Sequence, residues 1–146
     1  VNVSSKVHSI VKNLDFASLR KPTKSLSGIN EYAVSKLANI LFTSELHRRY
    51  ADLRISSFAV HPGLVDTEIW RNLPFFLRPI LKLSGMLTPE EGARNVLQCA
   101  CVDPVINSGK YFSKGISSLP STLAADQELA CKLWEQSESW MHQYSK

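Results

Sequence analysis

Residues 31–63 read EYAVSKLANILFTSELHRRYADLRISSFAVHPG, and a change of period inside this stretch decides the fold class. From Glu31 to Tyr50 the apolar residues Ala33, Leu37, Ile40, Leu41 and Leu46 recur at spacings of three to five, which predicts an amphipathic helix. His47, Arg48 and Arg49 place positive charge in its last turn, where it complements the helix dipole. Arg54 to Val60 (RISSFAV) is then a short run of strand-forming residues, stopped by His61-Pro62-Gly63. A long helix delivering the chain into a short strand is half of an α/β unit.

The flanking sequence repeats this grammar. Val1 to Ser5 is a β-branched run ending in two hydroxyls and reads as the end of a strand. Residues 6–30 are polar, with turn signals at Lys21-Pro22 and Ser27-Gly28, so loop or short helix is expected. Residues 68–87 form an apolar insertion containing Pro74 and Pro79. Thr88-Pro89-Glu90-Glu91 has the composition of a helix start: a capping Thr, Pro at the first helical position and Glu three residues after the cap. Ala93, Val96, Leu97 and Ala100 are expected to be that helix's buried face. Gly109 to Phe112 is a third short strand, and residues 122–143 a terminal helix carrying Leu129, Leu133, Trp134 and Met141. Strand, long crossover, strand, long crossover, strand predicts an α/β chain with three parallel strands and flanking helices. Ligands of such sheets bind beyond the carboxyl ends of the strands. Ser5 lies at one such end and His61-Pro62-Gly63 at the next.

Composition narrows the function classes. The chain has 146 residues, 44% hydrophobic and 21% charged, with a net charge of +4, which suits one soluble globular domain at most. The modest basicity fits a surface that tolerates anionic ligands. No basic stripe with interleaved aromatics appears, so nucleic-acid binding is not expected. The three cysteines, Cys99, Cys101 and Cys131, include no C-x-x-C pair, which argues against a zinc site or disulfide framework. Cys99 and Cys101 fall in an apolar helical pattern and are expected in the core. No apolar run approaches the length of a bilayer span.

Tyr32 and Lys36 stand four positions apart on the expected helix and so share a face. A phenol is a poor base at neutral pH, and a nearby ammonium favours its ionised form. Such a pair suits proton transfer to or from a carbonyl or carbinol oxygen. Alone it is a weak signal, since Tyr–Lys pairs at this spacing also occur on solvated helix faces.

The surrounding motifs strengthen it. Tyr-Ala-Val-Ser-Lys-Leu-Ala-Asn (32–39) resembles the Y-x-x-x-K helix of the short-chain dehydrogenase/reductase family. Asn2-Val3-Ser4-Ser5 resembles that family's preceding catalytic-serine strand, and His61-Pro62-Gly63-Leu64-Val65-Asp66-Thr67 its P-G-x-x-x-T segment. The resemblance covers essentially the whole chain. The long stretch between Ser5 and Tyr32, residues 35–43 and Ser108 to Phe112 look most like the retinol dehydrogenase branch. The resemblance implies the C-terminal part of a Rossmann-type doubly wound parallel sheet, belonging to a longer domain. It implies that Ser5 hydrogen-bonds the substrate oxygen, that Tyr32 is the general acid in reduction and base in oxidation, and that Lys36 binds the nicotinamide ribose while favouring the ionised phenol. Pro62, Gly63, Val65 and Thr67 would line the nicotinamide, while Ser4 and His61 are read as structural.

No glycine-rich pyrophosphate loop is present in these residues, so the cofactor expectation, NADP(H) over NAD(H), rests on the resemblance. The implied reaction interconverts an alcohol and a carbonyl on a small lipophilic, retinoid-like molecule. Two alternatives stand beside it: a catalytically silent chain binding a partner through its helices, and a steroid or xenobiotic carbonyl reductase of the same family. A homodimer through helix 31–50 and a place on the cytoplasmic side of the endoplasmic reticulum membrane are further expectations. In residues 70–83, Arg71, Arg78 and Lys82 fall on one side of a helical projection, and Leu73, Phe76, Leu77, Ile80 and Leu83 on the other. That pattern fits a membrane surface, but a substrate lid whose apolar side covers the site is the favoured reading; the two are compatible, and Pro79 interrupts any continuous helix.

Overall fold

The computed structural model describes residues 1–23, 27–65 and 85–144. The order is β1 (Asn2–Val3), a 3-10 turn (Lys6–Ile10), α1 (Ile29–Tyr50), a 3-10 turn (Ala51–Leu53) and β2 (Ala59–His61). After the segment outside the description come α2 (Pro89–Ala100), α3 (Pro104–Asn107), β3 (Tyr111–Ser113), β4 (Ile116–Ser118), a 3-10 turn (Thr122–Ala125) and α4 (Gln127–His142).

The sheet order is β1-β2-β3-β4. β1 pairs in parallel with β2 (Asn2 with Ala59, Val3 with Val60), and β2 in parallel with β3 (Ala59 with Tyr111, Val60 with Phe112). The expected parallel sheet is therefore present, with two corrections. The second strand is Ala59–His61 rather than residues 54–60, because Ser57 and Phe58 contribute single hydrogen bonds before a continuous ladder begins. A fourth strand, β4, runs antiparallel to β3. It is reached through Lys114 and Gly115, whose φ angles of 51° and 79° are the two left-handed positions of a tight hairpin turn. Lys is an uncommon residue there, which hides the hairpin in the sequence.

Helices cover both faces of the sheet, and the alternation of side chains along each strand sorts them. Ala59 and Tyr111 point to one face, where they join Leu37, Ile40 and Leu41 of α1 and Ala130 and Leu133 of α4. Phe58, Val60 and Phe112 point to the other, against Cys99 and Val96 of α2. This is the doubly wound arrangement. The capping box at Thr88 forms as expected: Glu91 N–H donates to the Thr88 hydroxyl at 3.2 Å and Thr88 N–H to the Glu91 carboxylate at 2.8 Å.

The buried stripe of α2 differs from expectation. Gly92 and Cys99 are buried and Val96 half-buried, whereas Ala93 and Ala100 are exposed and Leu97 is 64% exposed. Gly92 sets this phase, because its missing side chain lets α2 approach Val65, whose Cγ2 would lie 2.5 Å from an added Cβ. Cys101, expected in the core, ends α2 in an exposed position. Met141 of α4 is likewise exposed. Thr67 and the expected lid, residues 70–83, lie outside the described residues. No helix among the described residues is long and apolar enough to cross a membrane.

Candidate active site

β1 is laced to α1 by polar bonds more than by apolar contact. Asn2 Nδ2 donates to Thr43 Oγ1 at 2.9 Å, and the Ser4 hydroxyl donates to the Lys36 carbonyl at 2.7 Å. Asn2 and Ser4 donate their backbone N–H groups to Phe58 and Val60 of the β2 segment. In an extended strand Val3 therefore turns its own carbonyl away from β2. Lys36 Nζ (3.2 Å) and Asn39 Nδ2 (2.9 Å) both donate to that oxygen. The residues of α1 that meet β1 are thus Lys36, Asn39 and Thr43, at helical steps of three and four. Sequence reasoning singled out only Lys36, although Asn39 and Thr43 continue the face of Tyr32 and Lys36 and their spacing was the available signal.

Tyr32 and Lys36 share that face as expected, with the Lys36 ammonium 5.3 Å from the centre of the Tyr32 ring. Tyr32 is 39% exposed, in the first turn of α1, so its phenol is open to a ligand. Gly28, with φ +62°, caps this helix in a left-handed conformation that glycine adopts freely. Ser4 and Ser5 differ in burial and in hydrogen bonding. Ser4 is 2% exposed and spends its hydroxyl on α1. Ser5 is half-buried and caps the 3-10 turn, accepting from Val7 N–H at 3.5 Å, a length that leaves its hydroxyl weakly engaged.

Pro62 and Gly63 follow β2 directly. Gly63 has φ +107°, and an added Cβ would meet Leu87 Cδ1 at 2.5 Å, so both conformation and space require glycine. Val65 forms a parallel bridge with Leu87, and Leu87 N–H donates to the Leu64 carbonyl at 2.7 Å. Asn95 of α2, which sequence reasoning did not select, donates to the Pro62 carbonyl at 2.7 Å. The loop after β2 is therefore held by α2 and its lead-in. His61, next to it, accepts from Lys114 N–H through its carbonyl at 2.9 Å. Burial, with Lys114, Lys6 and His8 nearby, lowers the His61 pKa from its ordinary 6.5 and favours the neutral ring.

His8 is the other residue missing from the sequence-based set. It is 3% exposed, with Nδ1 2.7 Å from the Ser5 carbonyl and Nε2 accepting from Ser121 N–H at 3.1 Å. Ser5, Tyr32, Lys36 and Pro62–Gly63 thus sit on the carboxyl-terminal side of parallel strands and on the first turns of α1, where α/β sheets hold ligands.

No family model matches the chain. Curated relatives do. It is 36% identical over 137 residues to human retinol dehydrogenase 11, covering 92% of this chain and 42% of that protein. It is 36% identical over 146 residues to bovine dehydrogenase/reductase SDR family member 13 (94% and 38%), and 41% identical over 115 residues to mouse retinol dehydrogenase 14 (73% and 34%). Among solved structures, an uncharacterised protein from Mycobacterium paratuberculosis superposes with a TM-score of 0.67 at 27% identity, covering 94% of this chain and 47% of the other. The chain therefore spans less than half the length of these relatives. With retinol dehydrogenases and SDR members matched over about nine tenths of its length, and a doubly wound sheet shared with a solved structure, the chain belongs to the short-chain dehydrogenase/reductase family, in its retinol dehydrogenase-like branch.

Proposed function

We propose that the protein carrying this chain is a nicotinamide-dependent oxidoreductase that interconverts an alcohol and a carbonyl on a small lipophilic molecule. The observation that carries this reading is the Lys36 ammonium over the Tyr32 ring, on a helix bonded to the strand that leads into Ser5. Tyr32 passes the proton to or from the substrate oxygen, with the Lys36 ammonium beside its ring. The Ser5 hydroxyl donates to the same oxygen as negative charge develops there. The residues present fit the nicotinamide end of a dinucleotide. Lys36 has three donors and one is on Val3, leaving two for a ribose diol. Pro62, Gly63 and Val65, with Thr67 beyond the described residues, would lie along the carboxamide. A bound nicotinamide would supply or accept the hydride. NADP(H) is proposed over NAD(H), and a retinoid-like alcohol or aldehyde as substrate, because the named relatives include retinol dehydrogenases. That analogy also supports a site on the cytoplasmic face of the endoplasmic reticulum membrane.

The test joins this chain to the nucleotide-binding half of a relative such as retinol dehydrogenase 11 and assays retinal reduction. Tyr32→Phe, which removes only the hydroxyl, is expected to abolish nearly all turnover while the thermal transition stays in place. Near-normal turnover by that variant would end the catalytic assignment. It would favour the alternative of a non-catalytic chain that binds a partner, which the exposed Phe42 on α1 and Leu97 on α2 support.

A further inference from the structure

His8 is almost fully buried, yet no role in the proposed chemistry calls for it. Both of its ring nitrogens are engaged. Ser121 N–H points at Nε2, so that nitrogen must present a lone pair. The proton of the neutral imidazole is then on Nδ1, where it is donated to the Ser5 carbonyl at 2.7 Å. The same carbonyl accepts from the backbone N–H of His8 at 3.1 Å, so one residue holds it twice. The ring also packs edge-on against Tyr111 of β3, with centroids 5.1 Å apart and planes at 67°. Ser121, at the far end, caps the 3-10 turn that leads into α4.

Ser5 needs such a support. The β1 ladder ends at Ser4, whose N–H makes the last backbone bond to the β2 segment. Beyond it, the Ser5 hydroxyl direction depends on the backbone of a short turn. We infer that His8 is a positioning residue: a strut in the Nδ1–H tautomer that fixes the Ser5 backbone against β3 and the lead-in to α4, and so aims the Ser5 hydroxyl. The inference rests on the proposed role of Ser5. A misaimed donor costs turnover more than binding, because its bond to the substrate oxygen is strongest as charge develops.

The first measurement is made on the joined protein described above. Its long-range proton–nitrogen correlation spectra should show His8 protonated at Nδ1, with a scalar coupling from Nδ1 to the Ser5 carbonyl carbon. A ring protonated at Nε2 overturns the inference. The second measurement is kinetic, in the joined protein described above. His8→Phe keeps a ring against Tyr111 and loses both hydrogen bonds. It should lower kcat by about tenfold to a hundredfold with little change in cofactor KM. His8→Asn, which can still donate to the Ser5 carbonyl, should recover part of the loss. In the Ser5→Ala background, His8→Phe should cost nothing further, because the two act through one hydroxyl. Additive losses, or an unchanged kcat in His8→Phe, would overturn the positioning role alone. Full activity in Ser5→Ala would instead strike at the proposed function, whatever the spectra of His8 show.

Discussion

Two adjacent serines meet different fates because the strand turns one inward and releases the other. Ser4 is sealed against α1, and its loss leaves the Lys36 carbonyl without its hydroxyl donor; a buried bond of this kind is worth about 1–3 kcal/mol when one partner is removed. Ser4→Ala is therefore expected to lower the melting temperature and leave kcat largely intact. Ser5→Ala should do the reverse. Thermal unfolding beside steady-state kinetics on the joined protein separates the two, and equal kinetic losses would contradict the division. Lys36 has a second task, since it shares the outward Val3 carbonyl with Asn39. Lys36→Ala is predicted to raise the cofactor KM, while Asn39 keeps Val3 bonded and the fold stable. An unchanged cofactor KM would show that the ammonium does not hold the cofactor.

At the scale of elements, α1 is the member that unites the site. Its first turns carry Tyr32 and Lys36, its middle holds β1 and the core, and its last turns contain an ion-paired cluster around the buried Glu45. Glu45 is 1% exposed and bonded to Arg48 Nε at 2.8 Å and to Arg49 Nε at 2.5 Å. Arg49 in turn lies over Trp134 of α4, on which Phe42 also stacks. The hydrogen bond from Arg48, partly opposed by burial and reinforced by Arg49, lowers the Glu45 pKa from its ordinary 4.5. A carboxyl depressed by folding contributes stability above its unfolded pKa and loses it as pH falls through the folded value. The α1–α4 contact should therefore weaken as pH drops below about 4.5. Glu45→Gln should flatten that part of the curve of melting temperature against pH. An unchanged acid limb in the variant would assign the acid sensitivity to other groups.

Across the whole molecule, the residues proposed to hold the nicotinamide stand without a glycine-rich phosphate loop among these 146 residues. The six glycines fall at 28, 63, 85, 92, 109 and 115, none in a G-x-G-x-x-G spacing. In this fold the pyrophosphate and adenosine contacts come from the first half of the sheet. The 146 residues by themselves are accordingly expected to bind dinucleotides poorly and to show no turnover. The apolar side chains Val1, Val3 and Leu97 are exposed on the α2 side of the sheet and its helix, which also favours association. Calorimetry with NADPH and size-exclusion chromatography test both points. Micromolar binding by a monodisperse, cooperatively melting chain would refute them.

What the sequence determined by itself is local. The 3.6-residue period of α1, the Thr88–Glu91 capping box and the Tyr32–Lys36 face all follow from residues within a few positions of one another, and each stands as read. The parallel grammar follows from connection lengths too long for hairpins. Tertiary structure decided what depends on contact across the chain. Periodicity alone did not identify the buried stripe of α2, and the close approach of Gly92 to Val65 chose it. The antiparallel β4 depends on pairing with β3 through a Lys-Gly turn that carries little signal. The site shows the same division. Tyr32 and Lys36 were legible because one helix carries both. His8 was not, because its partners are Ser5 and Ser121, and a residue 113 positions away becomes a neighbour only when β3, the 3-10 turn and α1 pack around the same core.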